Sequence, residues 1–271
     1  MLRSVAINLA RLLPDTVKRR IHRHPRLSRL ASKSFAQVAR MDGQVASIES
    51  GPLKGIKLKV SEHTSHAHLS GKYESQVLDA IDRHVKAGFV CYDLGASIGY
   101  LSLLMARKAA HVYAFEPAPH AVREIRNHLT VNDFSNITIV EKPVSNGEFE
   151  VEFALNENAY GNEIVRGSSR WPTMKFTTTT VDNFAKDHPL PDFIKIDVEG
   201  EEGRVLEGAT KILSEKRPVF CIELHGNEVA EQCQKTLTAH GYQLFNLDES
   251  PFELQGRVIP GEVQIIAKPA R

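Results

Sequence analysis

The chain has 271 residues, 42% hydrophobic and 25% charged, with a formal net charge of +1. These values fit an ordinary soluble globular protein, one large α/β domain with an N-terminal extension, and give no sign of a polyanion partner, so no nucleic acid is expected. No apolar run approaches the length needed to span a bilayer. The apolar start is broken at Arg11 with no small-residue cleavage site after it, which argues against a signal peptide. Cys91, Cys221 and Cys233 read as reduced thiols of a cytoplasmic protein, and no C-x-x-C pair suggests zinc.

Residues 1–40 are basic: Arg3, Arg11, Lys18, Arg19, Arg20 and further cations face the single acid Asp15. Leu2, Ile7, Leu9, Leu12 and Leu13 add apolar surface. The segment is expected to be a helical arm. It either packs on the domain with a solvated face or lies peripherally against an anionic inner-membrane face or a lipid-linked substrate. Gln44–Ile48 and Gly55–Val60 read as a small hairpin. Arm and hairpin make one unit, 1–69, ahead of the main domain, 70–271. His63, His66 and His68 read as solvent-exposed loop residues, since no carboxylate or cysteine sits at matching spacing.

Tyr73 to Lys86 has helical spacing, with Val77, Leu78, Ile81 and Val85 on one face. Its start, Tyr73-Glu74, leads toward whatever the next strand binds. That strand is Val90–Leu94. It closes on the small-residue turn Gly95-Ala96-Ser97-Ile98-Gly99, and a helix starts at Tyr100. A second apolar run, Val112–Phe115, ends on Glu116-Pro117. A glycine turn before a helix start lets a ligand approach free backbone N–H groups. An acid about twenty residues later, at the end of the second strand, suits ribose hydroxyls. Asp93 just before the turn suits a cationic amino group better than a pyrophosphate. The combination favours S-adenosylmethionine over NAD.

The same turn also fits G-x-S-x-G, the nucleophile elbow of α/β-hydrolases, with Ser97 as nucleophile and Asp197 with His225 or His240 as partners. That fold places several strands before its elbow, and here only one or two precede residue 89.

Further on, His120–Thr130 reads as a helix and Ile137–Val140 as a third strand. The end of that strand, Glu141 to Ser145, should share an edge with Asp93 and Glu116, which brings Pro143 and Val144 to the adenine. Phe149–Leu155 and Lys175–Val181 read as strand pieces around a polar loop, Asn156–Arg170, that is either a lid or a surface insertion. Phe193–Val198 is a buried strand that carries Lys195 and Asp197 and runs into Glu199, Glu201 and Glu202. Buried charge is costly unless paired or used. Acids at the start of the following helix also suit its dipole. Val219–Leu224 ends on Glu223 and His225. A helix from Glu228 to His240 follows, and Tyr242–Leu247 with Val263–Ala267 are expected to form an antiparallel edge.

Asp93-Leu-Gly-Ala-Ser-Ile-Gly99, Ala114-Phe-Glu-Pro117, Val181-Asp182, Lys195-Ile-Asp-Val-Glu-Gly200, Val205-Leu-Glu-Gly-Ala209, Arg217-Pro218 and Ile222-Glu223 together resemble the FkbM family of S-adenosylmethionine-dependent methyltransferases. The resemblance covers about residues 70–225. Ser97 stands where Asn is common, and Val181 where Leu is common.

The resemblance implies a Rossmann-like class I methyltransferase fold: a seven-stranded, mostly parallel sheet, helices on both faces and an antiparallel last strand. It also implies O-methylation, often of sugar hydroxyls. The cofactor residues expected are Tyr73, Glu74, Asp93, Gly95, Ala96, Ser97, Gly99, Tyr100, Glu116, Pro117, Pro143, Val144 and Asp197. The catalytic candidates are Asp197, His225, Glu199, Glu223 and Lys195. No metal ligand set is assigned, although an ion held by Asp197 and its neighbours fits the chemistry. The acceptor is expected to be a small molecule or a glycan, in a cell-surface polysaccharide or its precursor. The alternative from another class is a non-catalytic protein that binds S-adenosylmethionine as a scaffold.

Overall fold

The computed structural model describes residues 41–156, 161–254, 259 and 261–270, so the basic arm lies outside the described residues. Strands β1 (Val45–Ser47) and β2 (Lys57–Lys59) pair antiparallel as the expected hairpin. A short helix, α1 (His66–Ser70), follows where the histidine loop was expected. His66 is exposed, but His63 and His68 are buried, at 9% and 1% exposure. The expectation of solvent-exposed histidines fails at both. His68 stacks on Tyr73 and meets the edge of Tyr100, and burial pushes its pKa down to about 3.

Then come α2 (Ser75–His84), β3 (Val90–Leu94), α3 (Tyr100–Ala106), β4 (His111–Phe115), α4 (Pro119–Thr130) and β5 (Ile137–Val140). Strands β6 (Glu150–Ala154), β7 (Glu163–Ile164) and β8 (Thr173–Thr177) form a separate antiparallel sheet in the order β7-β6-β8. The chain continues through α5 (Val181–Phe184), β9 (Phe193–Ile196) and α6 (Glu202–Glu207). After a π-helical turn at Ile212–Lys216 come β10 (Val219–His225), α7 (Asn227–Ala239), β11 (Tyr242–Asn246) and β12 (Glu262–Pro269).

The central sheet has seven strands in the order β11-β12-β10-β9-β3-β4-β5. β5, β4, β3, β9 and β10 run parallel, and β12 is antiparallel to both β10 and β11. This is the class I methyltransferase arrangement that the resemblance implies.

Alternation along the strands sends successive side chains to opposite faces. Cys91, Val112, Phe193, Cys221 and Ile266 pack with α2 and α3, while Tyr92, Leu94, Ile194, Ile196 and Phe220 pack with α6 and α7. All three cysteines are buried and free. Ile48, Leu53, Leu58 and Val60, from the hairpin region, belong to the same core as α2 and α3. No helix among the described residues is long and apolar enough to cross a membrane.

Leu58 is completely buried, so Leu58→Ala should cost about 2–5 kcal/mol. Urea unfolding followed by fluorescence checks this: one transition at lower urea is expected. A midpoint unchanged from the wild type would mean that the hairpin is not part of the cooperative core.

Candidate functional site

Parallel strands present their C-terminal ends on one edge, and the reversal of strand order between β3 and β9 opens a crevice there. A cleft of about 620 Å³ occupies this edge. Its walls include Gly95 and Ser97 from the turn after β3, Glu116 and Pro117 after β4, Lys142 to Val144 after β5, and Asp197 and Glu199 after β9. Phe153 and Ile164, from β6 and β7, also line it, so the separate small sheet contributes one of its walls. Arg166, just beyond β7, donates Nε–H to Glu201 Oε1 at 2.8 Å and Nη2–H to Glu201 Oε2 at 2.7 Å. Glu201 is buried, and it also accepts the Ser145 hydroxyl at 2.9 Å. Of the polar loop, Asn158 and Tyr160 lie outside the described residues, whereas Asn162 lines the cleft.

Glu116 stands buried at the cleft. Its Oε2 accepts the Ser97 N–H at 2.8 Å and its Oε1 the Ala118 N–H at 2.9 Å. Burial pushes the carboxyl up to about 7, against the pull of those two donors. Each oxygen keeps capacity to accept one more donor, which fits the vicinal hydroxyls of a ribose. Phe115, Val144, Phe153 and Ile164 supply an apolar slot beside it, which fits a flat base. On this donor set and this slot, the residues present fit S-adenosylmethionine.

Gly95 and Ser97 have φ of +80° and +49°. A Cβ on Gly95 would lie 1.8 Å from the Asp197 carbonyl oxygen, so the turn and the end of β9 touch backbone to backbone. Gly99, at φ +81°, ends the turn at the start of α3. Ala96 is buried and donates its N–H to the Phe115 carbonyl.

Other expected cofactor residues sit deeper. Asp93 is completely buried; its Oδ2 accepts the Ser102 hydroxyl and its Oδ1 is 3.7 Å from Lys195 Nζ. Burial raises its pKa. Tyr100 is turned into the core and donates its hydroxyl to the His68 carbonyl, and Tyr73 stacks on His68. Glu74, at φ +44°, is held in the charged field of Asp197 and Lys195, and burial raises its pKa.

The catalytic candidates come together through strand register. Asp93 pairs with Lys195, Lys195 with Cys221, Glu223 with Gln264, and His225 with Glu262. Continuing the register of β9 against β10 by one residue brings Asp197 abreast of Glu223. Residues two apart on a strand share a face, so Lys195 with Asp197, and Glu223 with His225, form one polar row across the sheet.

Lys195 is buried; its Nζ donates to the Gly95 carbonyl at 2.7 Å and lies 3.2 Å from Asp197 Oδ2. Burial alone would lower its pKa, but Asp197, Asp93 and Glu74 outweigh it and keep the amine charged. His225 Nδ1 is 2.9 Å from Glu202 Oε1, and its Nε2 is 3.5 Å from Glu199 Oε2 and 3.9 Å from Asp197 Oδ1. Burial opposes the charged ring, yet Glu202, Glu199 and Asp197 raise its pKa to about 9. Burial together with Asp197 raises Glu199 to about 7 and Glu223 to about 8.

Glu202 is the residue whose importance the sequence hid. It is completely buried, and the same oxygen that meets His225 also accepts the Val198 and Gly200 N–H groups. An acid in the first turn of a helix reads equally well as a dipole partner, and only its contact with His225 tells the two apart.

A triad around Ser97 is not assembled from the partners nominated for it. His225 is engaged by carboxylates. His240 bonds through Nδ1 to the Thr236 carbonyl, and its own carbonyl meets Arg217 just before β10, at the N-terminal edge of the strands.

Lys195→Ala would strip the buried cation from Asp93 and Asp197. A loss of about 3–5 kcal/mol is expected, because a buried charge left without its partner is strongly destabilising. Urea unfolding at pH 7 measures it, and a loss under about 1 kcal/mol would show that the pairing is not structural.

Comparison with known proteins agrees with this geometry. A family model, the methyltransferase FkbM domain, matches residues 93–246. An uncharacterised protein of Methanocaldococcus jannaschii is 34% identical over 97 residues, 35% of this chain and 38% of its own length. The hexuronic acid methyltransferase AglP of Haloferax volcanii is 25% identical over 168 residues, 61% of this chain and 68% of its own length. The crystal structure of methyltransferase FkbM from Methylobacillus flagellatus is 20% identical, covers 66% of this chain and 43% of that chain, and superposes with a TM-score of 0.45. With more than half of its length matched by that family model, the chain belongs to the FkbM methyltransferase family, and S-adenosylmethionine is its cofactor.

Proposed function

We propose that this protein transfers a methyl group from S-adenosylmethionine to a hydroxyl of a sugar, free or within a glycan or its precursor. The observation that carries the reading is the polar row at the ends of β9 and β10, which abuts the cofactor cleft at Asp197 and Glu199. Carboxylates, an imidazole and an amine side by side suit an acceptor covered in hydroxyl groups. Its likeness to AglP, a hexuronic acid methyltransferase, supports a sugar acceptor.

When bound, S-adenosylmethionine supplies a methyl group on a positively charged sulfonium. Glu116 holds the ribose hydroxyls. The slot of Phe115, Val144, Phe153 and Ile164 takes the base, with Pro143 beside it. The Gly95–Gly99 backbone supports the amino-acid end, and Asp93 acts behind it by fixing Lys195. The small sheet, joined to the rest of the site through Arg166 and Glu201, adds Phe153 and Ile164 to that slot.

The chain's remaining task is to align the acceptor oxygen and take its proton. Lys195 engages one oxygen of Asp197, whereas Glu199 lines the cleft with an oxygen near His225 Nε2. Glu199 is thus the proton acceptor in this reading.

Titration calorimetry with S-adenosylmethionine, followed by release of S-adenosylhomocysteine over a panel of sugar acceptors, tests the proposal. Binding with turnover on a sugar is expected. Absence of binding would overturn the reading, and binding with no turnover on any sugar would favour the scaffold alternative.

Glu116→Gln keeps the shape but removes the charge, so it should weaken binding roughly ten- to hundredfold. The Glu116 carboxyl, raised to about 7, is protonated below that pH and ionised above it. Ribose hydroxyls donate to the ionised form, so wild-type affinity should tighten as pH rises from 6 to 8. The variant should lose that slope.

A further inference from the structure

We infer that Asp197, Glu223 and His225 form a binding site for one divalent cation of the Mg²⁺/Mn²⁺ kind. Each offers one ligand atom, and these atoms all lie within 4.8 Å of one another. His225 Nε2 and Asp197 Oδ1 are 3.9 Å apart. Two ligands about 2.1 Å from one octahedral ion lie about 3.0 Å apart when adjacent and about 4.2 Å apart when opposite, so small side-chain movements bring the three onto one ion.

The remaining atoms of the three side chains are occupied in a way that aims these ones. Lys195 engages Asp197 Oδ2, 3.2 Å away, and leaves Oδ1 toward the imidazole. Gln264 donates to Glu223 Oε2 at 2.8 Å and fixes that carboxylate from β12. His225 is held through Nδ1 by Glu202, which leaves Nε2 facing Asp197 at 3.9 Å and Glu199 at 3.5 Å, and a bound cation takes the place of the proton that Nε2 otherwise carries there. Metal-ligating histidines almost always have their second ring nitrogen tied to a carboxylate or carbonyl in this manner, which sets the tautomer and the ring angle.

A second observation points to missing positive charge. Glu202 is completely buried, and its Oε2 has no hydrogen-bond partner. A buried carboxylate oxygen without a donor is costly, and a cation on Nε2 would add positive charge next to it through the ring that Glu202 contacts.

Two carboxylate oxygens and one imidazole nitrogen leave coordination positions for water or for a ligand hydroxyl, and that oxygen-rich set suits Mg²⁺ or Mn²⁺ better than thiophilic metals. One consequence rests on the sugar reading: an acceptor hydroxyl on the ion would lose its proton more readily and be fixed in place. The site itself rests on the three ligands, and its test needs neither cofactor nor acceptor.

The full chain, freed of metal with EDTA and desalted, is titrated with Mn²⁺ and followed by electron paramagnetic resonance. One bound Mn²⁺ per chain is expected, displaced by excess Mg²⁺. Glu223→Gln and His225→Ala should each weaken it at least tenfold. Thermal unfolding of each variant confirms that it is folded. Glu141→Gln, which removes an exposed acid elsewhere, should bind as the wild type does. No Mn²⁺ bound by the wild type would overturn the inference. So would binding that survives in a folded Glu223→Gln, or that falls equally in Glu141→Gln. Methyl transfer that proceeds fully in EDTA, with Mn²⁺ binding intact, would sink the consequence for the acceptor and leave the site standing.

Discussion

Lys195 joins the two halves of the crevice. Its amine meets the Gly95 carbonyl, Asp93 on β3 and Asp197 beyond β9. Its burial is sustainable only because two carboxylates and a carbonyl take the place of water. The same contacts dock the cofactor turn onto the end of β9, where Gly95 leaves no room for a Cβ against the Asp197 carbonyl. Cofactor turn and polar row are therefore one unit, and a shift of either moves the other. This is what methyl transfer asks of a fold, since donor and acceptor must be aligned and held.

The polar row extends outward from that ion pair by strand register. β9 carries Lys195 and Asp197, β10 carries Glu223 and His225, and β12 carries Gln264 and Glu262 opposite them. Carboxylates outnumber Lys195 and His225 here, which explains why Glu199 and Glu223 are pushed up and why His225 binds a proton, or a cation in its place, more readily than a free imidazole. An edge so rich in negative charge repels an acidic sugar unless a cation intervenes. The charge state of this edge thus bears on acceptor choice as well as on proton transfer.

Much of this was legible in the sequence because it is local. A strand, a glycine turn, a helix and a second strand ending in an acid place one side of the crevice from consecutive residues, and the unusual Lys195–Asp197 strand announces paired charge. The departure at Ser97 is informative as well. It occupies a left-handed position that Asn tolerates better than Ser, so the letter change marks a strained backbone site and not a change of chemistry. What the sequence concealed depends on long-range packing. Tyr100 opens a helix beside the turn, yet its ring turns into the core toward His68. His63 and His68 look polar in a row of loop residues, but α1 folds them under the domain. Phe149–Leu155 holds β6, but the strand expected over Lys175–Val181 is displaced: β8 is Thr173–Thr177 and Val181 already opens α5. Nothing local says that β6 and β8 leave the main sheet and pair with each other.

That separate sheet changes how the cleft works. β6 and β7 contribute Phe153 and Ile164 to the slot whose other walls include Phe115 and Val144. The small sheet is joined to the segment after β9 by Arg166, which makes a two-pronged contact with Glu201. Glu201 is buried and also takes the Ser145 hydroxyl from the segment after β5, so one carboxylate joins the small sheet, the segment after β5 and the loop that carries Asp197 and Glu199. Removing its carboxylate would leave Arg166 without this partner and loosen the small sheet where that loop ends at the start of α6. The small sheet and the loop that carries Asp197 and Glu199 are coupled through this one side chain, as the turn and the polar row are coupled through Lys195.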